Sequence, residues 1–142
     1  TGVQDEGKIL KKYRERNIHA RAGGFFDDMP QIQETADLAV TRAGAGIVSE
    51  LCTRGLPSIL IPFPFAADDH QAVNAGQLVS AGAAEMILEK DLTATGLALA
   101  IEAHMDSPQK GRLMAANLKK HARPYAARDI VADLYELISG KQ

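Results

Sequence analysis

The sequence predicts an α/β fold, in which a Rossmann-like parallel sheet is flanked by helices. Short apolar runs alternate with amphipathic stretches, and the turns between them are rich in small residues. Alternation at these lengths favours an open sheet with right-handed crossovers. The chain has 142 residues, of which 46% are hydrophobic, so it has the length and the apolar content of one domain with a real core.

Four apolar runs are predicted to be strands. They are "IHARAGGFF" (18–26), "DLAVTRA" (37–43), "PSILIPFP" (57–64) and "AEMILEK" (84–90). The second run is apolar and bounded by small residues, as is typical of a buried parallel strand. The third is the most strand-like segment of the chain.

Seven stretches are predicted to be helices, among them three with apolar residues at helical spacing: 4–16, 46–54 and 126–139. The predicted helices are 4–16, 30–36, 46–54, 69–81, 92–106, 109–121 and 126–139. Gly55 is a suitable C-terminal glycine for the third helix, and Asp68 or Asp69 could cap the fourth. The last helix carries an apolar stripe that we expect to dock on a layer below it: Ile130, Val131, Leu134, Leu137 and Ile138.

Composition excludes several classes of protein. The net charge is −2 and the four histidines are scattered, so the chain has no cluster of positive charge of the kind that binds a nucleic-acid backbone. No apolar run approaches the roughly 18 residues that would span a bilayer. The single cysteine, Cys52, cannot form an internal disulfide, which favours a reducing compartment, and we expect the cytoplasm.

Cys52 shares an apolar helix face with Ile47 and Val48 and is expected to be a core residue.

Ligands of open parallel sheets bind beyond the carboxyl ends of the strands. That rule selects three loops, 23–29, 42–50 and 62–75. In the second loop, Gly44, Ala45 and Gly46 leave backbone N–H groups uncovered at a helix N-terminus, which favours phosphate. Glu50, one turn further, could accept hydrogen bonds from ribose hydroxyls. The alternative is a tight turn with a solvated Glu50.

The third loop follows a strand whose end is fixed in shape by two prolines, and it delivers four polar side chains: Asp68, Asp69, His70 and Gln71. Such a cluster could bind several hydroxyls at once. A metal site is not expected, since no second histidine or cysteine has ligand spacing. Asn74, three residues after Gln71, should face the same side of the helix and brace the loop. Asp68 as a simple helix cap is the alternative.

The first loop begins with two aromatic residues at the end of a predicted strand. An aromatic ring there could cover a flat base while the main chain contacts its edge. Phe25 and Phe26 are therefore candidates for a nucleobase site. Core packing is the alternative for Phe25.

Four segments in this order resemble the C-terminal half of the MurG family: "GFFDDM", "ADLAVTRAGAGIVSEL", "GLPSILIPFPFAADDHQAVNA" and "GAAEMI". Members of that family are bacterial transferases that use UDP-N-acetylglucosamine to convert lipid I to lipid II in peptidoglycan synthesis. The resemblance runs over nearly the whole chain. It implies that the chain is the donor-binding half of an inverting glycosyltransferase of the GT-B fold. Such an enzyme would act in cell-wall synthesis, and so in cell shape and division, and would need no metal or cofactor.

The resemblance also implies roles for single residues. The backbone at Phe26 would meet the uracil edge, with Phe25 behind it. Gly44, Ala45 and Gly46 would face the diphosphate, and Glu50 would hold the ribose hydroxyls. His70, Gln71 and Asn74 would lie at the N-acetylglucosamine. Some members carry serine at the position of Ala43 and threonine at that of Ile47, so hydroxyl contacts to phosphate at those two positions would be lost here.

By the same resemblance, Thr1 and Gly2 look like the tail of the family domain's second strand. The chain would then be a partial domain, 1–142, without the first two strands. Strand 18–26 would lack its usual neighbours, so the chain is expected to pair with another chain or to rearrange its sheet. The acceptor site for lipid I, the membrane-facing patch and the general base would lie in an absent N-terminal domain. This chain alone would be inactive, and the whole enzyme would be peripheral on the cytoplasmic face of the inner membrane.

Three alternatives remain open from the residues. The chain could belong to another UDP-sugar transferase or an epimerase of the same architecture. It could be a non-catalytic subunit that binds nucleotide sugars. It could also be a dinucleotide-binding module, because Asp68 and Asp69 follow the glycines by about twenty residues. That module would need its acidic residue at a strand end, whereas Pro62 and Pro64 favour a loop.

Overall fold

Three short parallel strands form the sheet in the computed structural model, which describes residues 5–65 and 69–140. They lie in the order β1 (Ala39–Thr41), β2 (Ser58–Leu60) and β3 (Glu85–Met86). Ala39 is paired with Ser58, and Ile59 with Glu85. Each connection between neighbouring strands contains a helix, as parallel pairing requires. The predicted class, a parallel sheet with flanking helices, is confirmed.

Every predicted helix is present, and each end lies within two residues of the prediction. The helices are α1 (Glu6–Arg14), α2 (Met29–Thr35), α3 (Ala45–Arg54), α4 (His70–Ser80), α5 (Ala94–Met105), α6 (Pro108–Lys120) and α7 (Ala126–Ile138). A short 3₁₀ turn, Glu89–Asp91, follows β3. Helices can be predicted in this way because their periodicity is local to each segment.

The end of α3 confirms the expectation for Gly55. Its φ of 67° is left-handed, and its N–H donates to the Leu51 carbonyl at 2.8 Å. A Cβ at this position would lie 2.8 Å from Cε of Lys119 and 3.1 Å from the carbonyl oxygen of Ala115. Glycine is therefore required here both by the backbone conformation and by the close approach of α6.

The start of α4 corrects the expected cap. Asp69 occupies the N-cap position with a φ of 52°, and its side chain makes no capping hydrogen bond. A left-handed N-cap residue departs from the extended conformation that lets a carboxylate reach the N–H groups of the first turn. Asp68 lies outside the described residues.

The core lies where α3, α4 and α6 meet the sheet. Leu51, Leu60 and Leu118 are fully buried there, and Cys52, only 3% exposed, is part of the same cluster. The prediction that Cys52 is a core residue is confirmed. Sδ of Met114 on α6 also accepts a hydrogen bond from the N–H of Ser58 at 3.4 Å, which ties the helix to β2.

The chain divides into two compact units, residues 1–32 and 33–142, which are described separately. In the first unit the predicted strand 18–26 is wrong, because no residue of that segment is in a strand. A strand forms only when another strand pairs with its backbone, and among the described residues none pairs with this one. The sheet itself belongs to the second unit.

The apolar stripe of α7 also differs from the expectation. No residue of this helix is buried, and Leu137 and Ile138 are 78% and 82% exposed. The prediction that the stripe docks on a layer below is therefore wrong for the described residues. Amphipathic periodicity identifies a helix and its apolar face, but it does not say which surface covers that face. None of the described helices is both long and apolar enough to cross a membrane.

Candidate functional site

The N-terminus of α3 is an open, amide-lined mouth. Gly44 is the N-cap, with φ −64° and ψ 150°, and the N–H of Val48 donates to its carbonyl at 3.1 Å. The N–H groups of the residues between them, Ala45 to Ile47, precede the first intrahelical bond and have no partner in the helix. A Cβ built at Gly44 or Gly46 would meet no atom within 4 Å. We call residues 44–46 the α3 mouth.

Glu50 lies on the same side of α3 as part of this mouth. It follows Gly46 by four residues, and side chains on a helix lean toward its N-terminus, so the Glu50 side chain leans over Gly46. Glu50 is exposed, and its Oε2 accepts a hydrogen bond from Nε2 of Gln33 at 2.8 Å. The carboxylate is therefore held at one oxygen and open to solvent, not packed into the interior.

Two side chains of α4 hold the loop that leads into the mouth. Oε1 of Gln71 accepts from the N–H of Ala43 at 3.2 Å and from the N–H of Phe63 at 3.0 Å. Nδ2 of Asn74 donates to the carbonyl of Ala43 at 3.2 Å. Asn74 thus shares a helix face with Gln71, as expected, and the loop it braces is the one at Ala43. The second and third predicted loops come together at this point.

Arg42 connects the ends of two strands beside the mouth. Its guanidinium donates to the carbonyl of Pro62 at 3.3 Å and forms an ion pair with Glu89 in the 3₁₀ turn. The same group lies 5.4 Å from the centre of the Phe63 ring. Sequence reasoning missed this residue, because an arginine after a strand carries no signal about which distant carboxylate it pairs with.

Two hollows border α3: one runs along its side from Ala45, its first residue, to Cys52, and one lies at its C-terminal end. A hollow of about 260 Å³ includes Ala45 of the mouth together with Asn74, His121 and Arg123 among its lining residues. A larger groove of about 440 Å³ lies at the other end, against Arg54 and Gly55. The C-terminal end of a helix carries partial negative charge and repels phosphate. Of these two hollows, only the smaller one reaches a residue of the α3 mouth, Ala45.

Residues 23–29 lie in the first unit and are described by themselves. Phe25 is 83% exposed, so core packing of this ring is wrong. The guanidinium of Arg21 lies 4.6 Å from the centre of the Phe26 ring and makes two hydrogen bonds to Asp28, at 2.8 and 3.0 Å. The hydrogen bonds from Arg21 lower the pKa of the Asp28 carboxyl. The two hydrogen bonds to Asp28 hold the Arg21 guanidinium against the Phe26 ring.

The remaining candidates lie at the start of α4. His70 is the first residue of that helix and is exposed. Within residues 5–65 and 69–140, no three His, Cys, Asp or Glu side chains come together in a way that could hold a metal ion.

Gln33, which contacts Glu50, was not among the sequence candidates, because a glutamine seventeen residues before its partner has no pattern that marks it.

Comparisons with known proteins identify the family of the chain. The family described as glycosyltransferase family 28 C-terminal domain matches residues 1–130. The chain belongs to the glycosyltransferase family 28 C-terminal domain. A crystal structure of MurG from Acinetobacter baumannii superposes on this family 28 domain with a TM-score of 0.87 at 31% identity, over 95% of this chain and 41% of that one.

Two curated relatives of the family 28 domain share the name UDP-N-acetylglucosamine--N-acetylmuramyl-(pentapeptide) pyrophosphoryl-undecaprenol N-acetylglucosamine transferase. The protein of Anaeromyxobacter sp. (strain K) is 42% identical over 97% of this chain, and that of Brucella canis is 39% identical over 97%. The chain spans 36% of the length of each. The resemblance to the C-terminal half of the MurG family is confirmed.

Proposed function

We propose that this chain is the donor-binding part of a transferase that uses UDP-N-acetylglucosamine to convert lipid I to lipid II at the cytoplasmic face of the inner membrane. The α3 mouth, with Glu50 one turn beyond it, is the observation that carries the proposal. The free N–H groups and the helix dipole favour a diphosphate at the mouth. The exposed carboxylate of Glu50 is suited to accept two hydrogen bonds from a ribose diol.

The other candidates complete the donor site in this proposal. His70, Gln71 and Asn74 lie at the sugar end, beside the loop that enters the mouth. Phe25 and Phe26 contact the uracil. In the reaction, a hydroxyl oxygen of the acceptor attacks the anomeric carbon, and the bond from that carbon to the diphosphate oxygen breaks with inversion. The α3 mouth stabilises the negative charge on the departing UDP, while a general base takes the hydroxyl proton.

Calorimetric titration of the intact protein that contains these residues tests the proposal. We expect UDP-N-acetylglucosamine to bind more tightly than UDP-galactose, and NADH not to bind. Glu50→Gln should weaken every uridine ligand by about 10- to 100-fold, because a hydrogen bond to a charged group contributes about 1.5–3 kcal/mol. Tighter binding of another UDP-sugar would favour a different transferase of the same architecture. Tight binding of NADH without UDP binding would overturn the proposal.

A further inference from the structure

Gln33 is a buried polar residue whose amide group is directed at Glu50, the residue proposed to bind the ribose. Its side chain lies in the last turn of α2 and is only 8% exposed. Buried side-chain polar groups are normally hydrogen-bonded, and most side-chain hydrogen bonds go to the backbone or to water. Here Nε2 of Gln33 instead donates to the exposed carboxylate of Glu50, at 2.8 Å.

The geometry divides the two oxygens of Glu50 between two tasks. The hydrogen bond from Gln33 engages Oε2. A glutamate side chain has several rotatable bonds and, without a partner, would sample many directions in solvent. With Oε2 held, the carboxylate samples fewer directions, and Oε1, together with the second lone pair of Oε2, is available to a ligand.

We infer that Gln33 is a positioning residue, which orients the Glu50 carboxylate for the two ribose hydroxyls of the nucleotide. This inference rests on the proposed function, because it requires that Glu50 binds the ribose. Gln33 itself does not touch the ligand. Its contribution is to reduce the conformational freedom that Glu50 would otherwise lose on binding, which is the physical basis of preorganisation.

A neighbouring contact provides a matched control. Glu34 follows Gln33 in α2, and its Oε1 forms an ion pair with the guanidinium of Arg54 at 3.0 Å. Both contacts join the end of α2 to α3, but this second contact does not involve Glu50. Glu34→Gln therefore removes the charge of one partner in an ion pair between the same two helices and leaves the proposed ribose site intact.

The experiment compares two ligands on the intact protein, UDP and its 2′,3′-dideoxy analogue. Gln33→Met keeps the length and volume of the side chain but cannot donate. We expect it to weaken UDP binding about three- to ten-fold, from the cost of ordering one flexible side chain. The dideoxy analogue should bind the wild type and Gln33→Met equally, because it lacks the hydroxyls that Glu50 accepts. Glu34→Gln should change neither affinity.

A double-mutant cycle keeps the test valid if Gln33→Met lowers stability. In a Glu50→Ala background, Gln33→Met should have no further effect on UDP affinity. Equal losses for UDP and the dideoxy analogue, or the same loss with and without Glu50, would overturn the positioning role. The positioning role would also be overturned if Glu50→Gln weakened UDP binding while Gln33→Met left the UDP affinity unchanged. Failure of the wild type to bind UDP would instead overturn the proposed function, and this inference with it.

Discussion

Gln71 and Ala43 are joined by a hydrogen bond of 3.2 Å from the backbone N–H of Ala43 to Oε1 of the side chain, and the same oxygen accepts from the N–H of Phe63. A single side chain of α4 thus satisfies two backbone donors that follow two different strands. Because both donors need an acceptor, the oxygen is committed to the fold and only the amide nitrogen remains for a sugar. Gln71 therefore combines a structural role with its proposed role at the ligand.

Substitutions at Gln71 can separate these two roles. Gln71→Ala leaves the buried Ala43 N–H and the Phe63 N–H without their acceptor, so we expect the free energy of unfolding to fall by about 1–3 kcal/mol. Gln71→Glu keeps an acceptor oxygen and should lose less stability. Urea denaturation of both variants measures the difference. Equal stability of Gln71→Ala and wild type would contradict the bracing role.

The Gln71→Glu variant also tests the sugar contact. Gln71→Glu removes the amide donor, so the ratio of dissociation constants for UDP-galactose and UDP-N-acetylglucosamine should move toward one. Using a ratio cancels the effect of the added negative charge on the shared diphosphate. Calorimetry on the intact protein gives both constants. An unchanged ratio would exclude Gln71 from sugar recognition.

Gly46→Ala tests whether the α3 mouth must stay open. A Cβ there meets no protein atom within 4 Å, and the φ of Gly46 is not positive, so the folded chain accommodates alanine. We expect stability to rise by about 0.5 kcal/mol, since alanine lowers the entropy of the unfolded chain. Binding of UDP should weaken, because the methyl group occupies the face where the diphosphate approaches. A stable variant with wild-type UDP affinity would show that the ligand does not use this face.

Cys52 provides a pH-dependent prediction. Burial raises the pKa of its thiol, so the folded state keeps the proton that the unfolded state releases above a pH of about 8.5. Stability should therefore be unaffected below that pH and should fall as the pH rises beyond it. Denaturation curves at pH 7 and pH 9.5 measure this fall, and Cys52→Ala should reduce it. Rapid alkylation of Cys52 in the folded protein at pH 7 would contradict its burial.

Substituting one buried and one exposed leucine compares how much core and surface positions contribute to stability. Leu51 in α3 is fully buried, whereas Leu137 in α7 is 78% exposed. We expect Leu51→Ala to lower the free energy of unfolding by about 2–5 kcal/mol and Leu137→Ala by less than about 1 kcal/mol. Urea denaturation of this 142-residue chain makes the comparison. A large loss from Leu137→Ala would mean that another surface covers α7.

The helices could be predicted because their signals are local. The stripe of α3 and its left-handed end at Gly55 follow from spacing and from the special conformation of glycine. Strand 18–26 and the docking of α7 could not be predicted in the same way. Both depend on a partner surface, and apolar residues such as Phe25 or Leu137 carry the same pattern whether or not that partner is present.

The candidate site was predictable in outline only. The rule that ligands bind at the carboxyl ends of parallel strands selected the loops at Gly44 and Gln71, and α4 does hold the loop at Ala43. The individual side-chain contacts that hold the site could not be predicted from the sequence. The contacts of Gln33 with Glu50 and of Arg42 with Glu89 join residues far apart in the chain, and no spacing rule identifies such pairs.

The most direct measurement of where a nucleotide binds is the change in backbone amide chemical shifts when the intact, ¹⁵N-labelled protein is titrated with UDP. We expect the largest changes within residues 44–50, led by the amides of Ala45 and Gly46 at the start of α3. Changes concentrated instead at the far end of α3, around Arg54 and Gly55, with residues 44–50 unmoved, would contradict binding of the diphosphate at the α3 mouth.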